Sequence, residues 1–147
     1  MTPSVRRGPE PAGLIALALL AADQLTKLIV MQSGETLTAG PMTVGALVNR
    51  SGVLGLPLSN ALLIAAGFMI VLGIAVLLAR TPRPSVRLGL WLLLAGAVGN
   101  TIDRLLYGGA LDIVAIGPSS HFNLADIWIL LGGLALLLAV WRKDGGG

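Results

Sequence analysis

The chain has 147 residues, of which 55% are hydrophobic and 12% are charged, and its mean hydropathy is +0.87. A soluble domain typically contains about 25% charged residues, so this composition excludes that class and predicts a membrane protein. The absence of cysteine and the single histidine exclude disulfides and argue against a thiolate or histidine-based metal site. The net charge of +3 does not predict nucleic-acid binding, because the basic residues are scattered at the ends of apolar segments.

Four apolar segments are long enough to cross the hydrocarbon core of a bilayer as helices. We therefore expect one all-α membrane domain over residues 1–147, with spans at about 13–30, 60–78, 88–106 and 123–141. The first span is not expected to be a cleaved signal peptide. Asp23 and Lys27 interrupt it, and no small-x-small cleavage motif follows.

The distribution of charge predicts how the spans are oriented. Seven of the ten basic residues precede span one, lie between spans two and three, or follow span four: Arg6, Arg7, Arg80, Arg83, Arg87, Arg142 and Lys143. The positive-inside rule then predicts that both termini are cytoplasmic. Five carboxylates fall at or beyond the outer ends of the spans: Asp23, Glu35, Asp103, Asp112 and Asp126. We expect any chemistry to take place at the outer leaflet.

The segment between the first two spans is rich in Gly, Thr and Val, and "PMTVGALV" shows weak alternation of apolar and polar residues. This pattern predicts short strands that form a small β-like cradle on the outer leaflet. The linker "ARTPRPSVR" between spans two and three contains two prolines and three arginines. It is predicted to be a short, stiff cytoplasmic connection.

Two outer motifs each allow a structural and a functional interpretation. In "DQLTK", Asp23 and Lys27 are spaced as a helical i,i+4 ion pair. The pair is either neutralised locally, with Lys27 extending to the membrane boundary, or Asp23 anchors a substrate main chain while Lys27 reaches a lipid phosphate. In "NRSG", Asn49 either shapes a turn or offers its amide to an extended peptide.

The motif "GNTIDRL" ends span three with Asn100, Asp103 and Arg104. Gly96 and Gly99 precede it at a spacing that allows close approach of another helix. Asp103 is expected to form a local ion pair with Arg104.

Two further aspartates lie near span four. Asp112 is expected in a short apolar loop, where it either caps a turn or acts chemically. Asn123 is a good helix N-cap, and Asp126 three residues later resembles the acidic member of a capping box. A tight outer loop would also bring the two aspartates together. Two carboxyl groups that face each other near lipid share one proton, and such a pair can activate water against an amide without serine, cysteine or metal.

In this order, and on this four-span topology, the motifs resemble the lipoprotein signal peptidase (signal peptidase II) family. The resemblance is carried by "DQLTK" at 23–27, "NRSGVLG" at 49–55, "GNTIDRL" at 99–105, "LDIV" at 111–114 and "FNLAD" at 122–126. The segment between the two aspartates of the last two motifs is shorter than is usual in the family.

The resemblance implies a membrane aspartyl endopeptidase that removes the signal peptide of a prolipoprotein just before a diacylglyceryl-modified cysteine. It implies that Asp112 and Asp126 are catalytic. The supporting or substrate-binding residues would be Asp23, Lys27, Asn49, Gly52, Asn100, Asp103, Arg104 and Asn123. We expect a monomer in the bacterial inner membrane that contacts lipids and uses no metal or other cofactor.

Three alternatives remain open at this point. One is a catalytically silent scaffold of the same fold that binds lipoproteins. Another is a small proton-coupled transporter in which Asp23 and Asp103 change protonation. A third is a serine-lysine dyad formed by Ser33 and Lys27.

Overall fold

The computed structural model describes residues 10–51, 58–117 and 120–144. Its four helices are α1 (Pro11–Ser33), α2 (Asn60–Arg80), α3 (Pro84–Tyr107) and α4 (Leu124–Asp144). All four are long and apolar enough to cross a membrane. The predicted class and the four predicted spans are therefore confirmed.

Local sequence signals determine where these helices begin and end. Pro84 occupies the first turn of α3, where a missing N–H costs nothing. The Ser59 hydroxyl caps α2 by accepting a hydrogen bond from the Leu62 N–H at 3.3 Å. Helices α1 and α3 end at Gly34 and Gly108, whose φ angles of 64° and 75° lie in the left-handed region that glycine tolerates.

Helix α3 packs against each of the other three helices, most extensively against α4. The α3–α4 contact is backbone to backbone. A Cβ atom at Gly96 would lie 2.3 Å from the Ala125 carbonyl oxygen, and one at Gly132 would lie 2.8 Å from the Gly89 carbonyl oxygen. Small residues at these positions allow the close approach, so Gly96 belongs to a packing face, as predicted.

One antiparallel sheet of four strands lies at one end of the bundle. The strands are β1 (Leu37–Ala39), β2 (Met42–Asn49), β3 (Ala110–Ile116) and β4 (Ser120–Phe122), in the spatial order β1-β2-β3-β4. The predicted strands between α1 and α2 are confirmed as β1 and β2. The sheet also includes two strands from the segment between α3 and α4, which were not predicted.

Asp112 therefore lies on a strand, and the expectation of a loop at this position was wrong. The β-branched and apolar residues around it pair with β2, where Asp112 is opposite Leu47. The short segment reverses direction at Gly117, whose φ is 66°. β3 and β4 pair antiparallel, with Ile116 opposite Ser120, and α4 begins two residues after the end of β4, at Leu124.

The opposite end of the bundle is held by a cluster around Glu10, which directly precedes α1. Its carboxylate accepts hydrogen bonds from both Arg87 and Trp91 of α3, with Arg87 Nε at 2.7 Å and Trp91 Nε1 at 3.1 Å. Arg87 also donates to the carbonyl oxygens of Leu78 and Thr81 at the end of α2. One guanidinium therefore joins three helices, and Arg87 has a structural role beyond the topological one suggested by its charge.

Candidate active site

Asp126 is held at the first turn of α4 by a reciprocal capping box. Its main-chain N–H donates to Asn123 Oδ1 at 3.0 Å, and its Oδ2 accepts from the Asn123 main-chain N–H at 3.1 Å. The structural interpretation of this motif is therefore correct. The cap also fixes the carboxyl group at the end of the bundle where the sheet lies.

Asp112 projects from β3 toward the same place, and its side chain is buried. Its Oδ2 accepts a hydrogen bond from Asn49 Nδ2 at 3.0 Å, and its Oδ1 accepts one from Asn123 Nδ2 at 3.3 Å. Asn49 Oδ1 in turn accepts from the Ser51 N–H at 3.0 Å. Asn49 therefore shapes the chain after β2, as one interpretation expected, and its amide binds Asp112. Its use toward an extended peptide stays a prediction.

Asparagine amides connect the two carboxyl groups. Asn123 binds Asp126 with its main-chain N–H and Asp112 with its side chain. Asn100 Nδ2 donates to Asp126 Oδ1 at 2.8 Å, while Asn100 Oδ1 accepts from Asn123 Nδ2 at 2.9 Å. Because an amide both donates and accepts, the two asparagines fix Asp112 and Asp126 relative to each other.

The electrostatic surroundings favour the protonated form of Asp112. Burial raises the pKa of its carboxyl group, the hydrogen bond from Asn49 opposes that effect, and the negative charge of Asp126 raises it further. The net shift is upward, as expected where a desolvated acid faces a second acid. Asp126 by contrast accepts hydrogen bonds from two N–H donors, Asn100 Nδ2 and the Asn123 main chain.

A buried charge cluster lies beneath the two aspartates. Lys27 Nζ lies 2.7 Å from Asp23 Oδ2 and 2.6 Å from Asp103 Oδ2, and all three side chains are at most 2% exposed. Gln24 Nε2 also donates to both acids, at 3.1 and 3.2 Å. Gly99 leaves room for this cluster, because a Cβ there would lie 2.8 Å from Asp23 Oδ2.

The cluster also binds the main chain beside each candidate catalytic residue. Asp103 Oδ2 accepts a hydrogen bond from the N–H of Leu111 at 3.1 Å, and Asp23 Oδ1 accepts one from the N–H of Ala125 at 2.9 Å. Leu111 and Ala125 directly precede Asp112 and Asp126. One lysine therefore links the supports of both carboxyl groups.

Two details of the sequence interpretation need correction. The expected ion pair of Asp103 with Arg104 is replaced by a pair with Lys27, because neighbouring helical residues point about 100° apart. Lys27 pairs with Asp23 as expected, but it is buried rather than extended to the boundary or to a lipid phosphate. The alternative dyad with Ser33 is not favoured either, because Lys27 binds Asp23 and Asp103 while the Ser33 hydroxyl donates to the Val30 carbonyl oxygen.

Arg104 lies at the rim of the site. Its Nη1 donates to the Asn100 carbonyl oxygen at 3.2 Å, and its own carbonyl oxygen accepts from Asn60 Nδ2 at 3.1 Å. The buried Nε of Arg104 and Oδ1 of Asn60 have no partner within the part of the chain that the structure describes. The predicted site residue Gly52 lies outside the described residues.

Sequence reasoning missed two contributors to this region. Gln24 lies inside the motif "DQLTK", and its contact with both acids would have required knowledge of which helix faces lie together. Asn60 follows the Ser59 helix cap, and the sequence around it carries no signal for its contact with Arg104.

The sequence matches the family model described as "Signal peptidase (SPase) II" over residues 15–142. It is 30% identical to the lipoprotein signal peptidase of Maridesulfovibrio salexigens over 149 aligned positions, which cover 90% of this chain and 96% of that protein. It is 35% identical to the lipoprotein signal peptidase of Moorella thermoacetica over 134 positions, covering 86% and 89% of the two chains.

The fold is similar to that of solved structures. One bacterial membrane enzyme, determined at 2.3 Å resolution, superposes with a TM-score of 0.80 at 23% identity over 90% of this chain and 88% of that one. A second, at 1.9 Å, gives a TM-score of 0.74 at 25% identity over 88% and 91% of the chains. Because the family model matches residues 15–142, the chain belongs to the signal peptidase II family.

Proposed function

We propose that this peptidase is of the aspartic type and that Asp112 and Asp126 together activate the water that hydrolyses the substrate. The observation that carries the proposal is the pair of asparagines joining the two carboxyl groups, one of which is buried and has a raised pKa. Such a pair needs no further nucleophile, because water itself attacks. The coarse activity, removal of signal peptides from prolipoproteins, follows from the family.

The proposed reaction begins with Asp112 protonated and Asp126 ionised. Asp126 takes a proton from water as the water oxygen attacks the scissile carbonyl carbon, and Asp112 donates its proton to the carbonyl oxygen. In the second step the C–N bond of the tetrahedral intermediate breaks, Asp126 returns its proton to the leaving amine, and Asp112 regains its proton from the hydroxyl. The products are a signal peptide with a free carboxylate and a mature chain with a free amino group.

The surrounding residues would hold the substrate in place. Asn49, Asn100 and Asn123 orient the two acids, and the guanidinium of Arg104, which binds the Asn100 carbonyl oxygen, would contact a substrate carbonyl oxygen. Gly52 belongs to the same proposed set. The buried cluster of Asp23, Lys27 and Asp103 would act indirectly, because its two acids bind the main-chain N–H groups that precede Asp112 and Asp126.

We propose further that the scissile bond precedes a cysteine carrying a diacylglyceryl group and that a monomer carries out the reaction. The exposed apolar side chains of the four helices are suited to bilayer lipid, to the acyl chains and to the signal-peptide helix. The charge distribution supports cytoplasmic termini and an active site at the outer leaflet. Cleavage would then occur where the substrate leaves the membrane.

The experiment compares purified wild-type protein with Asp112→Asn and Asp126→Asn. Each is incubated in detergent with a diacylglyceryl-modified prolipoprotein, and loss of signal-peptide mass is followed. Each substitution should lower the rate by about 100- to 10,000-fold, while Glu35→Gln, an exposed acid on the segment after α1, should not change it. A folded Asp112→Asn variant that cleaves at the wild-type rate would refute the aspartic mechanism.

The wild-type protein in the same experiment distinguishes the peptidase from the scaffold. A silent scaffold predicts binding without cleavage by the wild-type protein. A transporter is not favoured, because the acids that it would need to protonate, Asp23 and Asp103, are both paired with Lys27.

A further inference from the structure

A cavity of about 340 Å³ lies beside Asp112 on the side of the sheet. Its lining comes from β2, β3 and β4, from Gly117 after β3, and from Thr36, which directly precedes β1; it includes Thr43, Gly45 and His121. The cavity is continuous with the candidate active site because Asp112 forms part of its wall. The bundle of apolar helices lies on the other side of the carboxyl pair.

This placement indicates which part of a substrate can reach the cavity. A chain that leaves the membrane and crosses the two aspartates has its signal peptide among the helices and its mature portion over the sheet. The residue that follows the lipidated cysteine is therefore the one carried toward the cavity. This step rests on the proposed function, because it requires the scissile bond to lie between Asp112 and Asp126.

The cavity is small and is lined by both polar and apolar residues. The polar lining residues include Thr36, Thr43 and His121, and Val114 is among the apolar ones. The floor is already crowded, since a Cβ at Gly45 would lie 2.9 Å from Thr36 Oγ1. The volume is at the lower end of the range of about 300–1,000 Å³ typical of ligand pockets. Such a space suits a small side chain that forms hydrogen bonds.

We propose that this cavity is a specificity subsite for the side chain directly after the lipidated cysteine. It selects small hydrogen-bonding side chains such as serine over large apolar or aromatic ones. Thr43 and His121 are the specificity-determining residues, because they provide polar groups on the two strands that flank β3. Acyl chains are unsuited to it, since burying hydroxyl and imidazole groups against hydrocarbon leaves them unpaired.

The test uses three lipidated prolipoprotein substrates that differ only in having Ser, Leu or Trp at this position. The wild-type enzyme should cleave the Ser substrate with a kcat/KM about threefold to tenfold above that for Leu, the difference expected for one or two hydrogen bonds, and should cleave the Trp substrate least. In Thr43→Val and His121→Ala the ratio of Ser to Leu should fall toward one. Ser120→Ala is the control, because Ser120 neighbours His121 but lies outside the cavity lining.

The possible outcomes are distinct. Equal kcat/KM values for the three substrates with the wild-type enzyme would overturn the subsite while leaving the proposed function intact. Failure of the folded wild-type enzyme to cleave any of them would count against the proposed function itself. The substrate series needs no variant, so poor folding of Thr43→Val or His121→Ala would not prevent a decision.

Discussion

Lys27 and Asp103 form a buried ion pair with an Nζ–Oδ2 distance of 2.6 Å, although 76 positions separate them in the chain. Asp23 shares the same ammonium group from the preceding turn of α1. These two acids and one base have almost no contact with solvent. Removing the base alone would destabilise the protein, because two carboxyl groups would then be left without their cation in an apolar interior.

Lys27→Met should therefore destabilise the protein by about 3–5 kcal/mol. Thermal or denaturant unfolding in detergent measures the change. Arg50→Met removes an exposed cation instead and should change stability by less than about 0.5 kcal/mol. Equal unfolding of the two variants would show that the buried ammonium contributes no more than a surface charge.

Gly96→Ala should lower both the stability of the protein and its kcat/KM. The new methyl group would lie 2.3 Å from the Ala125 carbonyl oxygen, so α3 and α4 must separate and the start of α4 must move. Overpacking of this kind costs about 1–3 kcal/mol, and a 1 Å displacement of a reacting group can lower the rate by about 100-fold. Both unfolding and kcat/KM should be measured.

The matched control is Gly73→Ala on α2, where an added methyl group meets no atom of the described residues within 4 Å. This change should stabilise the helix by about 0.5–1 kcal/mol and leave kcat/KM unaltered. If Gly96→Ala behaved in the same way, the close contact of α3 with α4 would have no part in positioning Asp126.

The pH profile of cleavage should depend on Asn49. In the proposed mechanism Asp112 is protonated at rest, so activity should fall as the pH rises through the pKa of Asp112, which burial holds above its usual range. The Asn49 hydrogen bond lowers that pKa. Asn49→Leu should therefore move the alkaline limb of the kcat/KM profile to higher pH, whatever its effect on the maximum rate.

Ser51→Ala provides the comparison for Asn49→Leu, since only the main chain of Ser51 contacts Asn49. Its alkaline limb should coincide with that of the wild type. If the alkaline limb of Asn49→Leu stayed in place or moved to lower pH, the group whose deprotonation limits the rate would not be Asp112.

Glu10 should make stability depend on pH in the acid range. Its hydrogen bonds with Arg87 and Trp91 lower the pKa of its carboxyl group from 4.5 to about 2. For a depressed pKa, the stabilising contribution is complete above 4.5 and is lost as the pH falls through about 2. Glu10→Gln should thus have a lower Tm than the wild type at pH 7, and the two should converge between pH 4.5 and 2.

Glu35→Gln is the control for this measurement, because Glu35 is exposed. Its Tm should follow that of the wild type across the range. Parallel curves for Glu10→Gln and the wild type down to pH 2 would mean that the contact with Arg87 does not link α1 to α3 energetically.

The sequence was most informative where the physical signal is local. Long apolar segments predicted the spans, and the spacing of Asn123 and Asp126 predicted a capping box that the structure contains. That cap and the proposed chemistry are compatible, because one oxygen of Asp126 binds Asn123 while the other binds Asn100. The same local signal therefore accounts for the cap and leaves room for the proposed catalytic role.

Long-range partners could not be predicted in the same way. Arg104 is adjacent to Asp103 in the chain, which favours an ion pair between them, but on α3 Asp103 points toward Lys27 instead. The strand around Asp112 escaped prediction because it is stabilised by pairing with β2, which lies about 60 residues earlier in the chain. Periodicity within one short segment contains no information about such a neighbour.

The hydrogen bond from Ala125 to Asp23 spans 102 positions and joins the last helix to the first. During synthesis the first three helices are made before α4. The emerging protein then contains Asp112 but neither Asp126 nor the backbone group that Asp23 binds. The candidate site is therefore complete only once α4 packs against α1 and α3, and a copy truncated before α4 could not carry out the proposed hydrolysis.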